Sequence, residues 1–577
     1  MTEISFQSRR STVYSTKGVV ASSQPAATAA GVKILELGGN CVDAAIAVSA
    51  CLCVLEPAST GIGGDCFALY YEQKSNKVHG LNGSGRSASS ATVDATLESL
   101  KNKDALRIPW NSIHAVTVPG AIAGWIDSIE AWGSGKVGLD QILAPAIDLA
   151  KNGFVVHEVS ANIWKSCESK LKLQNPNLKA NPFLNENGQA PKEGDLFFNP
   201  GIASVLELVV KHGKKGFYEG SVAEAVIKTT SSRGHNLSLE DLKSHTSSIV
   251  EPISIDFEKH RVWEIAPNGQ GLVALLALGM LQELQNEGVV DIYSHKVNSV
   301  EYLHLLIELC KLGFYDSDEY VSDPDFGEAP LSDLLHKSYL QERSHLYSAS
   351  KILDSETITH GVPNPINKSD TVYFTVADKN GDACSFINSV YEGFGSAVVV
   401  PEFGFCLQNR GANFNLTKGS KNALEGGKRP YHTIIPSMIT NVNDNSLYAA
   451  FGNMGGYMQP VGHVQHVLNM TVFGMTPQQS VDTPRFCLCS DPTGLDRGRG
   501  ADGPVSTPVT VVALEDGIPE EVAEGLRKLG HTVKSVSGNG RGLFGRAQII
   551  KNIGKDGKIV YAAGSDPRGD GAAVPII

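Results

Sequence analysis

A hairpin that begins near residue 371 constrains the fold of this chain most strongly. Residues 372–377 are rich in β-branched and aromatic side chains, the tetrapeptide Asp-Lys-Asn-Gly follows at 378–381, and residues 383–390 have the composition of a second strand. This pattern predicts a β-hairpin. The length of its loop matters, because a shift of one residue in the pairing turns every side chain to the other face of the sheet.

Two registers are compatible with this hairpin. A two-residue loop would place Val372 across from Ser389 and turn Thr371 to the opposite face. A three-residue loop that ends at Gly381, with the glycine in a left-handed conformation, would place Thr371 directly opposite Ser389. We favour the second register, because glycine commonly closes a three-residue loop and because the resulting pair of hydroxyl groups has a chemical use.

Helical and strand patterns alternate along the rest of the chain, which indicates an α/β protein. Helices are predicted at 26–37, 42–55, 139–150, 272–284, 297–312 and 460–473, and strands at 67–71, 78–81, 262–266 and 448–452, with further β-structure between 509 and 563. The helix at 42–55 is apolar on all sides, so we expect it to be buried between layers. The acidic stretch 316–325 is predicted to be a solvated turn, and the polar, proline-containing stretch 348–370 an exposed loop.

Composition excludes several classes of partner. The 577 residues exceed one ordinary core, but no linker divides them. A net charge of -12 argues against binding to nucleic acid or to anionic membranes. The N-terminus lacks an apolar export signal and the longest nearly apolar stretch, 44–55, is too short to span a membrane, so we expect a cytoplasmic protein. The ten cysteines lack zinc-site spacing and are expected to be buried free thiols.

A series of short motifs, in a fixed order over nearly the whole chain, resembles the γ-glutamyltransferase family. Members of that family are N-terminal-nucleophile hydrolases that cut their own precursor. The motifs are Gly38-Gly-Asn-Cys-Val-Asp-Ala-Ala45, Gly61-Ile-Gly-Gly64, Ala115-Val-Thr-Val-Pro-Gly120, Leu143-Ala-Pro-Ala-Ile147, Asp370-Thr371, Val-Ala-Asp378-Lys-Asn-Gly381, Gly404-Phe-Cys-Leu-Gln-Asn409, Gly427-Lys-Arg-Pro430, Gly455-Gly456, Asp482-Thr-Pro-Arg-Phe486 and Ser565-Asp-Pro-Arg568.

The resemblance implies an αββα sandwich, in which two stacked antiparallel sheets lie between helical layers. It implies cleavage between Asp370 and Thr371, which would give a large part of residues 1–370 and a small part of residues 371–577, interleaved in one globule. The expected partner is a small amide substrate with a carboxylate, and no metal or organic cofactor is needed. The two processed fragments are expected to associate with each other, and a homodimer is left open.

The chemistry expected at Thr371 depends on this cleavage. Attack of the hydroxyl on the preceding carbonyl gives an ester, whose hydrolysis frees the α-amine of Thr371. An α-amine has a pKa of roughly 7.7 to 8.0, so it can act as general base to its own side-chain hydroxyl. Ser389 occupies the place of a second hydroxyl near the nucleophile, Gly455 and Gly456 match the family's oxyanion site, and Arg86 aligns with the arginine that grips the donor carboxylate.

Several positions differ from true γ-glutamyltransferases. Where those enzymes hold the α-ammonium of the donor, this chain has Tyr391, Arg410 and Asn413, and it has His432 and Thr433 in place of a serine pair. A positive Arg410 would repel an ammonium group in a poorly solvated pocket. The acyl donor is therefore expected to lack the α-amino group, as in the oxamate amidohydrolase and glutaryl acylase branch.

Two alternatives stay open at this point. A γ-glutamyl donor would still fit if Asn413 and the hydroxyl of Tyr391 bound its ammonium group. Alternatively, the chain would be an uncut binding or scaffold protein, which is a different class of function.

The GxGxxG stretch at 540–545 is followed by a predicted strand rather than a helix, so it does not indicate a dinucleotide site. Asp43 is interpreted as a helix cap or structural acid rather than a catalytic group.

Overall fold

The computed structural model describes residues 10–327, 329–353, 370–489 and 511–577. Within these residues the chain forms two seven-stranded antiparallel sheets. The first sheet contains, in spatial order, β1 (Val13–Ser15), β20 (Tyr561–Ser565), β19 (Ala547–Asn552), β15 (Leu447–Asn453), β14 (Ser437–Asn441), β9 (His260–Glu264) and β8 (Ile253–Phe257). The second contains β21 (Ala572–Pro575), β2 (Gly18–Ser22), β10 (Asp370–Asp378), β11 (Ala383–Tyr391), β3 (Asp65–Glu72), β4 (Lys77–Gly83) and β7 (Ser248–Val250).

Smaller sheets and the helices surround this pair. The short strands are β5 (Phe154–Val155), β6 (Leu196–Phe197), β12 (Val399–Val400), β13 (Phe405–Cys406), β16 (Phe486–Cys489), β17 (Val511–Glu515) and β18 (Thr532–Val536). The helices are α1 (Pro25–Glu36), α2 (Cys41–Leu55), α3 (Val93–Leu100), α4 (Ala121–Trp132), α5 (Leu139–Asn152), α6 (Glu158–Gln174), α7 (Pro200–His212), α8 (Lys215–Tyr218), α9 (Gly220–Ser231), α10 (Leu239–Lys243), α11 (Leu272–Asn286), α12 (Val300–Tyr320), α13 (Leu331–Leu334), α14 (Lys337–Ser344), α15 (Met458–Thr471), α16 (Pro477–Asp482) and α17 (Glu520–Lys528).

Three apolar cores separate the layers. One core fills the space between the two sheets and includes Phe67 and Tyr373 from the second sheet with Met438 and Ile550 from the first. A second core lies between the second sheet and α1, α2, α4 and α5, and a third lies between the first sheet and α11, α12 and α15. The fold is therefore an αββα sandwich, as the sequence predicts.

The central hairpin adopts the register predicted for a three-residue loop. Val372 faces Asn388 across the β10–β11 pair, and the amide of Asp378 donates to the carbonyl of Asp382 at 3.0 Å. Gly381 has a φ of +94°, a conformation that glycine adopts without the steric cost that a Cβ would impose. The turn glycine therefore sets which side chains of the two strands share a face.

Helix α2 is buried as predicted, because all of its 15 residues are shielded from solvent. Its N-terminus is closed by a capping box, in which Asn40 accepts hydrogen bonds from backbone amides and the Asp43 carboxylate accepts from the amide of Asn40. Asp43 is thus a structural acid, as interpreted. The ten cysteines are all buried thiols outside disulfide bonds, also as predicted.

The prediction of a solvated turn at 316–325 is wrong for most of its length, because residues 316–320 are helical and residues 321–323 are buried. Helix α12 continues to Tyr320, and Asp316 is fully buried within it. The carboxylate of Asp316 receives two hydrogen bonds from the guanidinium of Arg343 on α14, at 2.8 and 3.1 Å. A counter-charge from a distant helix makes this burial tolerable, and local sequence contains no sign of it.

Most of the predicted loop at 348–370 lies outside the described residues. Residues 348–353 precede that gap and are without helix or strand. No helix in the described part of the chain combines the length and the apolar character that crossing a membrane requires.

Candidate active site

The predicted nucleophile lies at a β-bulge. The register of β10 against β11 shifts between Asp370 and Val372, so Thr371 occupies the irregular position. Such bulges re-aim a side chain and are common beside active sites. The hydroxyl oxygens of Thr371 and Ser389 lie 3.0 Å apart, and both side chains are fully buried. The structure thus brings together the two hydroxyls that the hairpin register predicts to face each other.

The guanidinium of Arg410 extends this pair of hydroxyls. It donates from Nη2 to the Ser389 hydroxyl at 3.0 Å and from Nη1 to the Thr433 hydroxyl at 2.6 Å. The guanidinium also lies over the ring of Tyr391, with Cζ 4.3 Å from the ring centre. Thr371, Ser389, Arg410 and Thr433 therefore form one continuous cluster of hydrogen bonds.

Arg410 is an unusual cation, because it is fully buried and forms no ion pair with a carboxylate of the described residues. Within the described part of the chain no acidic side chain forms an ion pair with it, and its Nε–H has no hydrogen-bond acceptor. Burial lowers the pKa of Arg410 to about 10. The group still carries its proton near neutral pH, so the cluster contains a positive charge and a free donor.

Asp65 and His432 form a buried pair beside this cluster. His432 donates from Nε2 to Asp65 at 3.0 Å, and its Nδ1 accepts from the amide of Ile434 at 3.4 Å. This arrangement requires the neutral imidazole with its hydrogen on Nε2. Burial and then the charge of Arg410 hold the pKa of His432 well below its usual value, which agrees with the neutral form.

The other oxygen of Asp65 is held by three donors. It accepts from the amides of Gly85 and Gly120, at 2.9 and 3.0 Å, and from the side-chain amide of Gln408 at 2.7 Å. Burial raises the pKa of Asp65 to about 7, and the charge of Arg410 opposes that shift. Asp65 therefore supplies negative charge near Arg410 without occupying the donors of its guanidinium.

Gly455 and Gly456 form a tight turn between β15 and α15. Their φ angles of +127° and +60° lie in the range that favours glycine. Among the described residues neither backbone amide has a hydrogen-bond acceptor. The side-chain amide of Gln270 donates to the carbonyls of Gly456 and Thr433, at 2.8 and 2.7 Å, and so ties this turn to the hydroxyl cluster. Two free amides at a fixed turn are suited to binding an oxyanion.

The site and the fold match known proteins over almost the full chain. A family model described as Gamma-glutamyltranspeptidase matches residues 27–576. The chain belongs to this family. It is 35% identical to the glutathione hydrolase-like YwrD proenzyme of Bacillus subtilis, over 98% of this chain and 99% of that protein. It is 29% identical to the oxamate amidohydrolase proenzyme of Klebsiella pneumoniae, over 97% and 98% of the two chains.

Solved structures agree with this assignment to the γ-glutamyltranspeptidase family of hydrolases. The crystal structure of cephalosporin acylase from Bacillus halodurans superposes with a TM-score of 0.84 and 37% sequence identity, covering 98% of this chain and 97% of the acylase. The similarity to acylases agrees with the branch of the family that the sequence resembles.

The arginine expected to grip the donor carboxylate lies apart from the hydroxyl cluster. Arg86 donates to the carbonyl of Thr246 at 3.2 Å and pairs with Asp325 at 3.5 Å, with a quarter of its side chain exposed. Among the described residues its hydrogen bonds reach none of the groups that contact Thr371. A role for Arg86 in binding the donor stays a prediction.

Tyr391 and Asn413, the neutral groups predicted to lie at the family's ammonium site, are engaged with each other. The hydroxyl of Tyr391 donates to Asn413 at 2.7 Å, and the amide nitrogen of Asn413 donates to the carbonyl of Tyr431 at 3.0 Å. A donor with an α-ammonium would have to compete with Tyr391 for the Asn413 oxygen and would also face the charge of Arg410.

Within the described residues, one group of side chains has the composition of a metal site: His304, Glu308 and His531, all buried. The two imidazoles are bonded to each other, with 2.7 Å between Nδ1 of His304 and Nε2 of His531. The ammonium of Lys311 lies 2.7 Å from an oxygen of Glu308, where it would repel a metal ion. These contacts fit a hydrogen-bonded network better than a metal centre.

Sequence reasoning did not find Asp65, Gln270 or Arg546. Asp65 directly follows the quoted Gly61–Gly64 motif, so its position was a usable signal. Gln270 lies in the glycine-containing stretch before α11, and Arg546 follows the GxGxxG stretch that was set aside. No local pattern indicates that these last two side chains reach the site.

Proposed function

We propose that this protein is an autoprocessing amidohydrolase that cleaves the amide bond of a small carboxylate-bearing donor through an acyl-enzyme on Thr371. The observation that carries the proposal is the line of contacts from the Thr371 hydroxyl through Ser389 to the buried Arg410. It joins a nucleophile to an anion-binding group through two hydrogen bonds.

Processing begins with attack of Thr371 Oγ1 on the carbonyl carbon of Asp370. The peptide C–N bond breaks, the acyl group passes to the oxygen, and the hydroxyl proton passes to the departing nitrogen. Water then hydrolyses the ester, which releases the Asp370 carboxylate and leaves a free hydroxyl and a free α-amine on Thr371. The Ser389 hydroxyl, 3.0 Å from Oγ1, is well placed to relay the proton.

Turnover uses the new α-amine as general base. It takes the hydroxyl proton of Thr371 as Oγ1 attacks the amide carbon of the donor, and the tetrahedral oxyanion is stabilised by the amides of Gly455 and Gly456. The leaving amine takes the proton, and the acyl group stays on Oγ1 as an ester. Water completes hydrolysis, whereas an acceptor amine in its place would complete acyl transfer.

Arg410 supports a donor that has a carboxylate and lacks an α-ammonium. A buried cation whose guanidinium donors meet no carboxylate of the described residues is costly, and an arriving carboxylate reduces that cost while forming strong, charge-assisted hydrogen bonds. An α-ammonium at the same place would be repelled, and Asn413 is already bonded to Tyr391. A glutaryl or oxamate type of donor is therefore favoured over a γ-glutamyl donor.

The two fragments of residues 1–370 and 371–577 would stay together as one globule after the cut. Strand β10 pairs with β2 on one side and β11 on the other, and β11 in turn pairs with β3. Strands from both sides of the cleavage point thus pair with each other in one sheet. Breaking the bond between Asp370 and Thr371 removes a single covalent link and leaves these ladders in place.

Replacement of Thr371 by alanine tests the proposal. We expect the wild type to give two fragments on a denaturing gel, with Thr371 as the N-terminus of the smaller one, and Thr371→Ala to stay intact and inactive. Thr375→Ala is a matched control, because Thr375 is a buried threonine of the same strand whose hydroxyl donates to the carbonyl of Cys384 at 3.1 Å. A Thr371→Ala variant that is cut normally would refute the scheme.

A comparison of donors tests the role assigned to Arg410. Glutaryl anilide, oxamate and γ-glutamyl anilide would be offered to the processed enzyme at equal concentration. We expect turnover of at least one of the first two. Turnover of the γ-glutamyl compound alone would remove the argument from Arg410 and leave the nucleophile assignment intact.

A further inference from the structure

Arg546 contacts both halves of the candidate site. It lies directly before β19, and its side chain is almost fully buried. Its backbone carbonyl accepts the amide of Met454 at 3.1 Å, and Met454 immediately precedes the Gly455–Gly456 turn. The neighbouring Gly545 packs against the same turn, since a Cβ on Gly455 would lie 3.2 Å from its Cα. The main chain around Arg546 therefore supports the glycine turn.

The side chain of Arg546 points from this turn to the nucleophile. Nη2 lies 3.5 Å from the backbone carbonyl oxygen of Thr371 and donates to the hydroxyl of Ser59 at 3.1 Å. Nη1 donates to Glu56 at 2.8 Å. A planar guanidinium with several fixed donors can hold these three acceptors at the same time.

Glu56 anchors the guanidinium in this position. It lies at the C-terminal end of α2, is 2% exposed, and forms a buried ion pair with Arg546. Because α2 packs on β10 and β11, the pair joins three bodies: the helix layer, the strand of the nucleophile and the glycine turn. A buried charged pair is directional, so it restricts how these bodies can shift relative to each other.

We propose that Arg546, held by Glu56, is a positioning residue that sets the separation between Thr371 and the two amides of Gly455 and Gly456. The inference rests on the proposed function, because it assumes that Thr371 attacks and that the two glycines bind the oxyanion. Attack and oxyanion stabilisation must occur within one tetrahedral intermediate, whose size is fixed by covalent geometry. A shift of about 1 Å between nucleophile and donors costs on the order of 100-fold in rate.

Arg546→Lys is the sharpest test. Lysine keeps the positive charge and can stay paired with Glu56, but its single ammonium group cannot also hold Ser59 and the carbonyl of Thr371. We expect processing of the precursor to slow by about tenfold or more, and kcat of the processed enzyme to fall by about 10- to 100-fold. KM for the donor should change by less than about threefold, because no contact to Arg410 is altered.

Glu56→Gln and a remote control complete the design. Glu56→Gln keeps the shape and one acceptor for Arg546 while removing the charge, so we expect a smaller loss of kcat. Its effect should not simply multiply with that of Arg546→Lys, because the two residues act through one contact. Arg343→Lys alters another buried arginine, paired with Asp316 away from these residues, and should lower thermal stability without changing kcat per processed molecule.

The outcomes separate this inference from the proposed function. Wild-type rates of processing and kcat in Arg546→Lys would overturn the positioning role while leaving Thr371 as the nucleophile. A decrease in activity that only follows the amount of folded protein, as judged by circular dichroism, would overturn it as well. An intact, inactive wild-type chain would instead refute the proposed function itself.

Discussion

Two buried centres in this molecule, a pair of arginines and the single Arg410, differ in how their positive charge is balanced. Arg485 and Arg568 lie close to Asp566 and Glu515, with ion-pair distances of 2.5 to 2.9 Å. Arg410, equally buried, has two hydroxyl groups and an aromatic ring as neighbours and no carboxylate partner in the described part of the chain.

This difference indicates that the Arg485–Arg568 centre contributes to stability, whereas Arg410 is suited to binding. A buried arginine whose donors meet carboxylates is satisfied in the folded chain, and it can only lose free energy when a partner is removed. A buried arginine without a paired carboxylate can still gain an ion pair, and a bound ligand can supply the negative group. The paired centre therefore holds the fold together, and we assign the unpaired one to the donor carboxylate.

The largest expected effect lies in the paired centre. Asp566→Ala leaves Arg485 and Arg568 short of a partner, and we expect it to lower the free energy of unfolding by roughly 3–5 kcal/mol. Urea unfolding followed by circular dichroism measures the change. A loss below about 1 kcal/mol would mean that this buried network contributes no more to stability than an exposed ion pair does.

Arg410→Met should give the reverse pattern. Removing a buried cation that forms no ion pair with a described carboxylate should change the free energy of unfolding by less than about 1 kcal/mol, because none of these carboxylates loses a hydrogen-bonded pair. Turnover of the carboxylate donor should fall by about 100-fold, with a raised KM. Steady-state kinetics and urea midpoints on the same preparation test both parts. Strong destabilisation together with unchanged kinetics would show that Arg410 serves stability, like the Arg485–Arg568 centre, and does not bind the donor.

The pH dependence of stability should have opposite signs at the two centres. Burial raises the pKa of Asp65 to about 7 from 3.8, so its contribution to stability is complete below pH 3.8 and is lost as the pH rises through 7. Wild type should therefore lose roughly 1–3 kcal/mol relative to Asp65→Asn between pH 4 and pH 8.

Asp566 should behave in the other direction. The charges of Arg485 and Arg568 outweigh its burial and hold its pKa below the usual 3.8. Its contribution is present above that value and is lost as the pH falls below it. Thermal melts of wild type, Asp65→Asn and Asp566→Asn across pH 3 to 8 compare the two, and parallel curves would contradict the assignment.

The smallest effect is expected at an exposed pair. Arg261 and Asp256 form a two-point contact on the β8–β9 hairpin, at 2.6 and 3.0 Å, with about half of the Asp256 side chain exposed. Asp256→Ala should change the free energy of unfolding by less than about 1 kcal/mol, because water screens the pair. A loss as large as that of Asp566→Ala would show that burial is not what separates the two centres.

The features that the sequence predicts are those whose interacting residues lie close together in the chain. The hairpin register was predicted correctly, because Gly381 and its neighbours decide it within a few residues. The αββα layers followed from a family resemblance carried by short motifs along the chain. The buried Asp316 was missed, since its partner Arg343 lies on another helix and only packing brings the two together.

The candidate site divides in the same way. The roles predicted for Thr371, Ser389 and the two glycines came from the family resemblance, whereas the local hairpin pattern predicted only that Thr371 and Ser389 face each other. The structure places Arg86 with Asp325 and brings Arg410 to the hydroxyls. It also brings in Arg546, which lies 175 residues from Thr371 in sequence and has no pattern of its own.

The amino-acid sequence alone determined the local geometry of this protein: where strands turn, which hydroxyls face each other and where the backbone needs glycine. Backbone dihedral preferences and side-chain alternation act over a few residues, so they can be interpreted without the fold. The tertiary structure alone decided which buried charges are paired and which are left open. Charge pairing depends on distances of a few ångströms between segments far apart in sequence, and only packing sets those distances.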